Sequence, residues 1–303
     1  MNSKKMNKDK SSQTKNSFDQ KWKNNEDLLI ENTLDENSEF FKWIINRNGF
    51  ATAKDLKIFL SDKDRILDAG CGNGRITAML QKYSSSNSAI LAFDIIESEI
   101  AKKNFNHLNR TNFILKDLML DLSDLGKFDF IYCQEVLHHL ENPKVGFENL
   151  VKVLKENGEI AIYVYKLKAP IREFADEFIR NKISGLNYEE ASNALSEITE
   201  LGKILSNLNV KVQVPDVKLL DIKKGEYDIQ RFIYHFFLKC FWNSTFSFKH
   251  NNAVNFDWYH PKLSFKFELE EVKSWFNMND LEIVHCFEDF YGITIRGKKV
   301  IVS

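Results

Sequence analysis

Hydrophobic positions along the chain change period several times, and the changes mark out its elements. Short apolar runs at residues 65–69, 89–94, 111–117, 128–133 and 159–165 read as buried strands. The strands alternate with helical stretches, which predicts an α/β fold: a parallel sheet with helices on both faces. Ahead of it, Ser38 to Leu60 is helical in pattern, with Phe41, Ile44 and Ile45 on one face and Gly49 as a break. After Tyr165 about 100 residues interrupt the alternation. Pro170 opens a helix there whose apolar face is Ile171, Phe174, Ala175, Phe178, Ile179 and Ile183. Asn187, with Glu190 three later, caps a second helix through Ala191, Leu195, Ile198, Leu205 and Leu208. Asp228 starts a third, with Ile229, Phe232, Ile233, Phe236, Phe237 and Phe241 on one face. The alternation resumes with a helix over 267–276 and two closing strands at 281–287 and 292–302.

The turn after the first strand carries the chemistry. Asp68 ends that strand, and Gly70, Cys71, Gly72, Asn73 and Gly74 follow before a helix opens at Arg75. Alternating glycines permit backbone angles closed to other residues and let a ligand lie against the main chain. Amides at the start of the next helix then face an anionic group. The spacing is not the G-x-G-x-x-G of dinucleotide sites, and no Gly-Lys-Ser/Thr follows, which excludes a phosphate-binding P-loop. Asp94 ends the second strand about 20 residues on, where an acid meets ribose hydroxyls.

The pattern D-x-G-x-G-x-G at Asp68–Gly74 resembles motif I of the class I S-adenosylmethionine-dependent methyltransferases. The run from Gln134 through Glu135, Val136, Leu137, His138, His139 and Leu140 to Pro143 is similar to the motif IV region of their small-molecule members, including quinone-biosynthesis enzymes. Leu154 to Gly158, followed by the strand to Tyr165, resembles the family's helix end and fifth strand. With the second strand ending at Asp94 and the third at Asp117, five ordered matches run across residues 65–165. The resemblance implies a Rossmann-like, seven-stranded, mostly parallel sheet closed by an antiparallel hairpin, and S-adenosyl-L-methionine as cofactor. It implies a cofactor site at Asp68, Gly70, Cys71, Gly72, Asn73 and Gly74, with Asp94 and Ile95 at the ribose. Asp117 or Leu118 would lie at the adenine, and Gln134 at the end of the fourth strand.

With 303 residues the chain can bury a full core. A net charge of −1 gives no basic field for a polyanion, so no nucleic-acid partner is expected. Cys71, Cys133, Cys240 and Cys286 are scattered without metal-ligand spacing, which predicts reduced thiols in a cytoplasmic protein and no metal. No apolar run approaches the roughly 20 residues of a membrane-spanning helix. Twenty-five phenylalanines point to extra aromatic surface or a roomy apolar pocket.

Five regions are expected: a disordered, lysine-rich tail (1–16), an N-terminal helical lid (17–60), the cofactor-binding core (61–166), a helical cap carrying the substrate side (167–262), and the closing helix and hairpin (263–303). Phe18 and Trp22, four apart on one helical face, either staple that helix down or close over the cofactor. Methyl transfer from a sulfonium needs alignment and exclusion of water more than a catalytic dyad, and none is visible. The candidates for acid–base or substrate contact are His138, His139, Tyr259 and His260, with Asp257 beside the last two. The bland alternatives are packing for the histidines and a turn for residues 255–261. Arg231 and His235 on the third cap helix would hold an acidic substrate group or form a solvated face. Three functions fit: a methyltransferase on a small molecule (a sugar, lipid or secondary-metabolite intermediate), one acting on RNA or protein, or a cofactor-binding protein without turnover. The RNA or protein reading lacks an Asn-Pro-Pro-Tyr-like sequence, since Gln134-Glu135 stand there. A monomer or a homodimer is expected.

Overall fold

The computed structural model describes residues 2–96 and 99–300. It divides into two compact units. One comprises residues 26–166 and 265–303, the other residues 1–25 and 167–264.

The first unit is a seven-stranded sheet. Its strands are β1 (Arg65–Ala69), β2 (Ala89–Asp94), β3 (Thr111–Leu115), β4 (Phe128–Gln134), β5 (Leu154–Tyr165), β8 (Leu281–Glu288) and β9 (Gly292–Lys299). Their spatial order is β3-β2-β1-β4-β5-β9-β8. β1 to β5 pair in parallel, while β9 pairs antiparallel with both β5 and β8. This is the Rossmann-like, mostly parallel sheet with a closing hairpin. Burial on both faces explains the unbroken apolar runs: Ile66, Leu67, Phe130, Ile131, Ile160 and Ile162 are all inaccessible or nearly so. One face packs against α7 (Pro143–Lys152) and α12 (Leu269–Asn277) through Phe147, Leu150, Trp275 and Phe276. The other packs against α3 (Glu39–Arg47), α4 (Ala53–Leu60) and α5 (Arg75–Tyr83) through Phe41, Ile44, Leu60, Met79 and Tyr83. Two short helices complete it, α2 (Ile30–Leu34) and α6 (Glu99–Phe105). Gly49 (φ 85°) breaks the chain between α3 and α4.

The second unit is helical: α1 (Asn2–Asn24), α8 (Pro170–Ile183), α9 (Tyr188–Asn207), α10 (Ile229–Phe236) and α11 (Phe248–Tyr259). Between α9 and α10 lies a two-stranded antiparallel hairpin that the sequence pattern did not predict, β6 (Lys211–Val214) and β7 (Gly225–Asp228). The predicted caps form. Asn187 and Glu190 make a reciprocal capping box, and Asp228 accepts a hydrogen bond from the Arg231 amide.

Three expectations are corrected here. Instead of a disordered tail, residues 2–24 form one helix. Its polar side chains act as staples: Gln13 donates to the carbonyls of Ser184 (2.8 Å) and His260 (2.9 Å), and the Thr14 hydroxyl accepts from the Leu263 amide (2.9 Å). Residues 17–60 are not one lid segment, because residues up to 25 belong to the helical unit and the rest to the sheet unit. Residues 255–259 are not a turn but the last turns of α11.

A fourth correction concerns α8, which is turned inside out. Arg172, Asp176, Arg180 and Ile183 face inward, while Phe174 is 75% and Phe178 57% exposed. The arginines win the interior because α11 ends there with carbonyls that need donors. Arg180 Nη1 donates to the carbonyls of Trp258 and Pro261, each at 2.7 Å. Arg172 pairs with Asp176 (2.8 Å), whose other oxygen accepts from the Trp258 indole (2.8 Å).

Candidate functional site

The glycine turn sits at the carboxyl end of β1, where β1 lies between β2 and β4. All three glycines take left-handed angles, with φ of 87° at Gly70, 52° at Gly72 and 86° at Gly74. Side chains are also sterically excluded at two of them. A Cβ on Gly70 would lie 2.2 Å from Val136 Cγ2, and one on Gly74 2.8 Å from the Phe105 ring. The amides of Gly70 and Cys71 both donate to the Phe93 carbonyl, which ties the turn to β2.

Asp94, at the end of β2, faces this turn. Its Oδ2 accepts from the Gly72 amide at 2.9 Å and its Oδ1 from the Ile96 amide at 3.2 Å. Asp68 is nearly inaccessible, and its Oδ2 accepts from the Thr77 hydroxyl at 2.5 Å. Burial pushes its carboxyl up to about 7, against the lowering effect of the Thr77 hydrogen bond and with a smaller push from Asp94. Asp68 therefore orients the start of α5 through Thr77. Asn73 is buried as well, and its Nδ2 donates to the carbonyls of Glu26 (3.1 Å) and Leu28 (3.0 Å). Asn104 bridges the carbonyls of Glu26 and Asn73. The segment ahead of α2 is thereby held on the glycine turn.

The remaining cofactor candidates lie at neighbouring strand ends. Ile95 follows Asp94 directly. The Asp117 carboxylate accepts from the Met119 amide at 2.8 Å. Leu118 turns its side chain into the core, so only its main chain is available to a ligand. Gln134 ends β4. Its Nε2 reaches the Ala161 carbonyl only at 3.5 Å, and its buried Oε1 has no hydrogen-bond partner among the described residues.

One cluster beside Gln134 escaped the sequence reading. Glu135 takes a left-handed angle (φ 63°), and its carboxylate lies 3.7 Å from both Arg47 Nη1 and Arg75 Nη2. Arg47 is 3% exposed, with its guanidinium against the rings of both Trp43 (3.8 Å) and Tyr163 (4.2 Å). Arg75 opens a helix in sequence and Arg47 ends one, 28 positions earlier; no spacing rule connects them.

The four acid–base candidates separate into two pairs. His138 and His139 are in the sheet unit, buried beyond the end of β4. His138 stacks on Tyr165 (3.6 Å between centroids), and its Nδ1 accepts from the Tyr165 amide at 3.3 Å. His139 meets the same ring edge-on at 5.6 Å. Tyr259 and His260 are in the helical unit, and both are committed to its interior. The Tyr259 hydroxyl donates to the Lys239 carbonyl (3.2 Å), and burial holds the phenol well above its ordinary range. The His260 ring meets the Ser17 hydroxyl (2.8 Å) and the Leu186 carbonyl (3.1 Å), and burial lowers its basicity. These partners place Tyr259 and His260 in the hydrogen-bonded interior of the helical unit. Asp257 likewise pairs with Lys21 at 2.6 Å. Among the described residues no group of three or more His, Cys, Asp or Glu is arranged to hold a metal, and no helix is long and apolar enough to cross a membrane.

Comparison with known proteins bears on residues 60–209, which match the family model described as a methyltransferase domain. A juvenile hormone acid O-methyltransferase from Bombyx mori is 31% identical over 100 residues, 32% of this chain and 36% of that protein. A ubiquinone biosynthesis O-methyltransferase from Coxiella burnetii is 29% identical over 101 residues, 31% of this chain and 41% of that protein. The chain thus spans well under half the length of these curated relatives. Among solved structures, an N-methyltransferase from Bradyrhizobium japonicum in complex with S-adenosyl-L-homocysteine is similar with a TM-score of 0.46 at 12% identity, covering 92% of this chain and 98% of that one.

Proposed function

Residues 60–209 belong to the methyltransferase-domain family, and from that premise we propose that the protein transfers a methyl group from S-adenosyl-L-methionine to a small-molecule acceptor. The observation that carries the reading is the strand end around the glycine turn. Left-handed glycines, an acid on the Gly72 amide and the orphaned Gln134 Oε1 converge there. Those residues fit the cofactor. Asp94 suits its ribose hydroxyls, the main chain at Asp117 and Leu118 its adenine, and Gln134 Oε1 its ammonium group. Arg47 Nη1 and Arg75 Nη2, which both face Glu135 at 3.7 Å beside Gln134, suit its own carboxylate.

When bound, the cofactor supplies a methyl group already activated on a sulfonium. The chain's part is to align the acceptor with that methyl and keep water out. His138, His139, Tyr163 and Tyr165 form an aromatic wall at the ends of β4 and β5 suited to that task. The helical unit enters the chain directly after β5, and we assign it the choice of acceptor. A sugar, lipid or secondary-metabolite intermediate is the acceptor class proposed.

Calorimetric titration with S-adenosyl-L-methionine and S-adenosyl-L-homocysteine tests the reading. Micromolar binding of both is expected. Failure of both to bind, with a nicotinamide dinucleotide binding instead, would overturn it.

A further inference from the structure

The helical unit holds a cation that its own residues do not neutralise. Arg231 stands in the first turn of α10. Its Nη1 is buried with no hydrogen-bond partner among the described residues, and its Nη2 reaches only the Trp242 carbonyl, at 3.4 Å. The guanidinium lies 5.5 Å from the Tyr234 ring and 6.0 Å from that of Phe241, so aromatic surface borders it. Of the two fully buried arginines of this unit, Arg172 pairs with Asp176 and Arg180 donates to two carbonyls, whereas Arg231 is only partly buried. Arg231 has no carboxylate within ion-pair distance among the described residues; the nearby Asp228 carboxylate is used by the Arg231 main-chain amide.

A second group reports the same imbalance. His235 lies one turn further along α10. Burial first, and then the charges of Arg231, Arg172 and Lys168, push its imidazole down to about 3. That ring is neutral at any physiological pH, chiefly because it is buried and secondarily because the neighbouring charges are positive. Taking a guanidinium out of water without a counter-charge costs free energy, and structures retain such groups where a ligand completes them. The planar guanidinium fork fits two oxygens of a carboxylate or phosphate. Phe241 and Trp242, each only partly buried, add an apolar border.

We propose that Arg231 anchors the anionic group, a carboxylate or a phosphate, of an acceptor with an apolar or aromatic body bound by the helical unit. The proposal rests on the small-molecule reading above and narrows it to acidic acceptors.

The test uses the full chain with inorganic phosphate, benzoate and phenyl phosphate as probes and methyl benzoate as the uncharged control. Binding is followed by tryptophan fluorescence in the wild type, Arg231→Gln and Arg231→Lys. Phenyl phosphate or benzoate should bind the wild type at least tenfold more tightly than methyl benzoate does, and Arg231→Gln should lose at least tenfold. Arg231→Lys, which keeps the charge without the fork, should fall between. Without ligand, the thermal midpoint of Arg231→Gln should equal or exceed that of the wild type, because a buried unmatched charge has been removed. Equal binding to wild type and Arg231→Gln overturns the proposal, as does failure of all three anions to bind. A midpoint lowered alike in both variants makes Arg231 structural and also overturns it. S-adenosyl-L-methionine titrated into the same proteins separates the two readings. Cofactor binding without anion binding removes only this site, and anion binding through Arg231 without cofactor binding removes only the methyl-transfer reading.

Discussion

At the scale of single residues the cofactor turn behaves as its glycines require. Gly72 combines a left-handed φ with an amide given to Asp94. Gly72→Val would force a β-branched side chain into that conformation and place its methyl groups where a ligand must approach. Calorimetry should show loss of S-adenosyl-L-methionine binding, with circular dichroism showing the fold kept. Unchanged affinity would mean that the turn is not the site. These glycines were legible because a backbone angle that only glycine adopts cheaply leaves its mark in sequence. The environment of Asp68 was not, because burial depends on what packs over it. With its carboxyl pushed up to about 7, Asp68 stays protonated in the folded chain while the unfolded chain ionises from near 4. Stability from this group is therefore intact at low pH and lost as pH rises from about 4 to about 7, by at most ~1.4 kcal/mol per pH unit. Asp68→Asn keeps an acceptor for Thr77 and removes the titration. Denaturant melts should show the variant gaining on the wild type across that window and holding its lead above it. A difference that does not change with pH would refute the assignment.

Single elements show where pattern reading fails. The apolar spacing on α8 was real, and Ile171, Phe174 and Phe178 do share a face, but that face points outward. Periodicity identifies a helix and its two sides; it does not say which side the rest of the chain can satisfy. Here the inner side carries Arg172, Asp176 and Arg180, because the end of α11 and the Trp258 indole supply their partners. The neighbouring Asn187–Glu190 box was legible because capping is local, needing only residues three apart. Opposite outcomes follow for two substitutions on the one helix. Asp176→Asn leaves Arg172 buried without its counter-charge and should cost about 3–5 kcal/mol in denaturant unfolding. Phe174→Asp, on the outer face, should change stability by no more than about 0.5 kcal/mol. If Phe174 proved the costly position and Asp176 the tolerant one, the helix would face the other way.

The whole molecule is threaded so that each unit is built from two separate stretches of chain. The five parallel strands and the closing hairpin were legible at this scale: β1, β4 and the second half of β5 are apolar runs buried on both faces, and β8 alternates partly buried with exposed positions. The joining of residues 1–25 to residues 167–264 was not, because Gln13, Thr14, Ser17 and Lys21 hold that helix by hydrogen bonds and an ion pair. Polar staples of this kind look like a solvated tail in sequence. On the sheet side, the chain leaves after Lys166 and returns at Phe265. The two ends stay close: Lys166 bridges to Phe267, the Phe267 amide donates to the Tyr165 carbonyl at 3.0 Å, and the Phe265 amide to the His138 carbonyl at 2.8 Å. A short Gly/Ser linker can therefore replace residues 167–264 without moving either end, and its closure entropy is small. Residues 26–166 joined in this way to 265–303 keep every strand of the sheet and the core around Phe147, Trp275 and Phe276. That shortened chain should unfold in one cooperative transition and bind S-adenosyl-L-methionine, because every residue assigned to the cofactor lies within it. Acceptor recognition should be gone. A chain that folds but does not bind would mean the helical unit completes the cofactor site, and one that does not fold would mean the sheet depends on the helices for its stability.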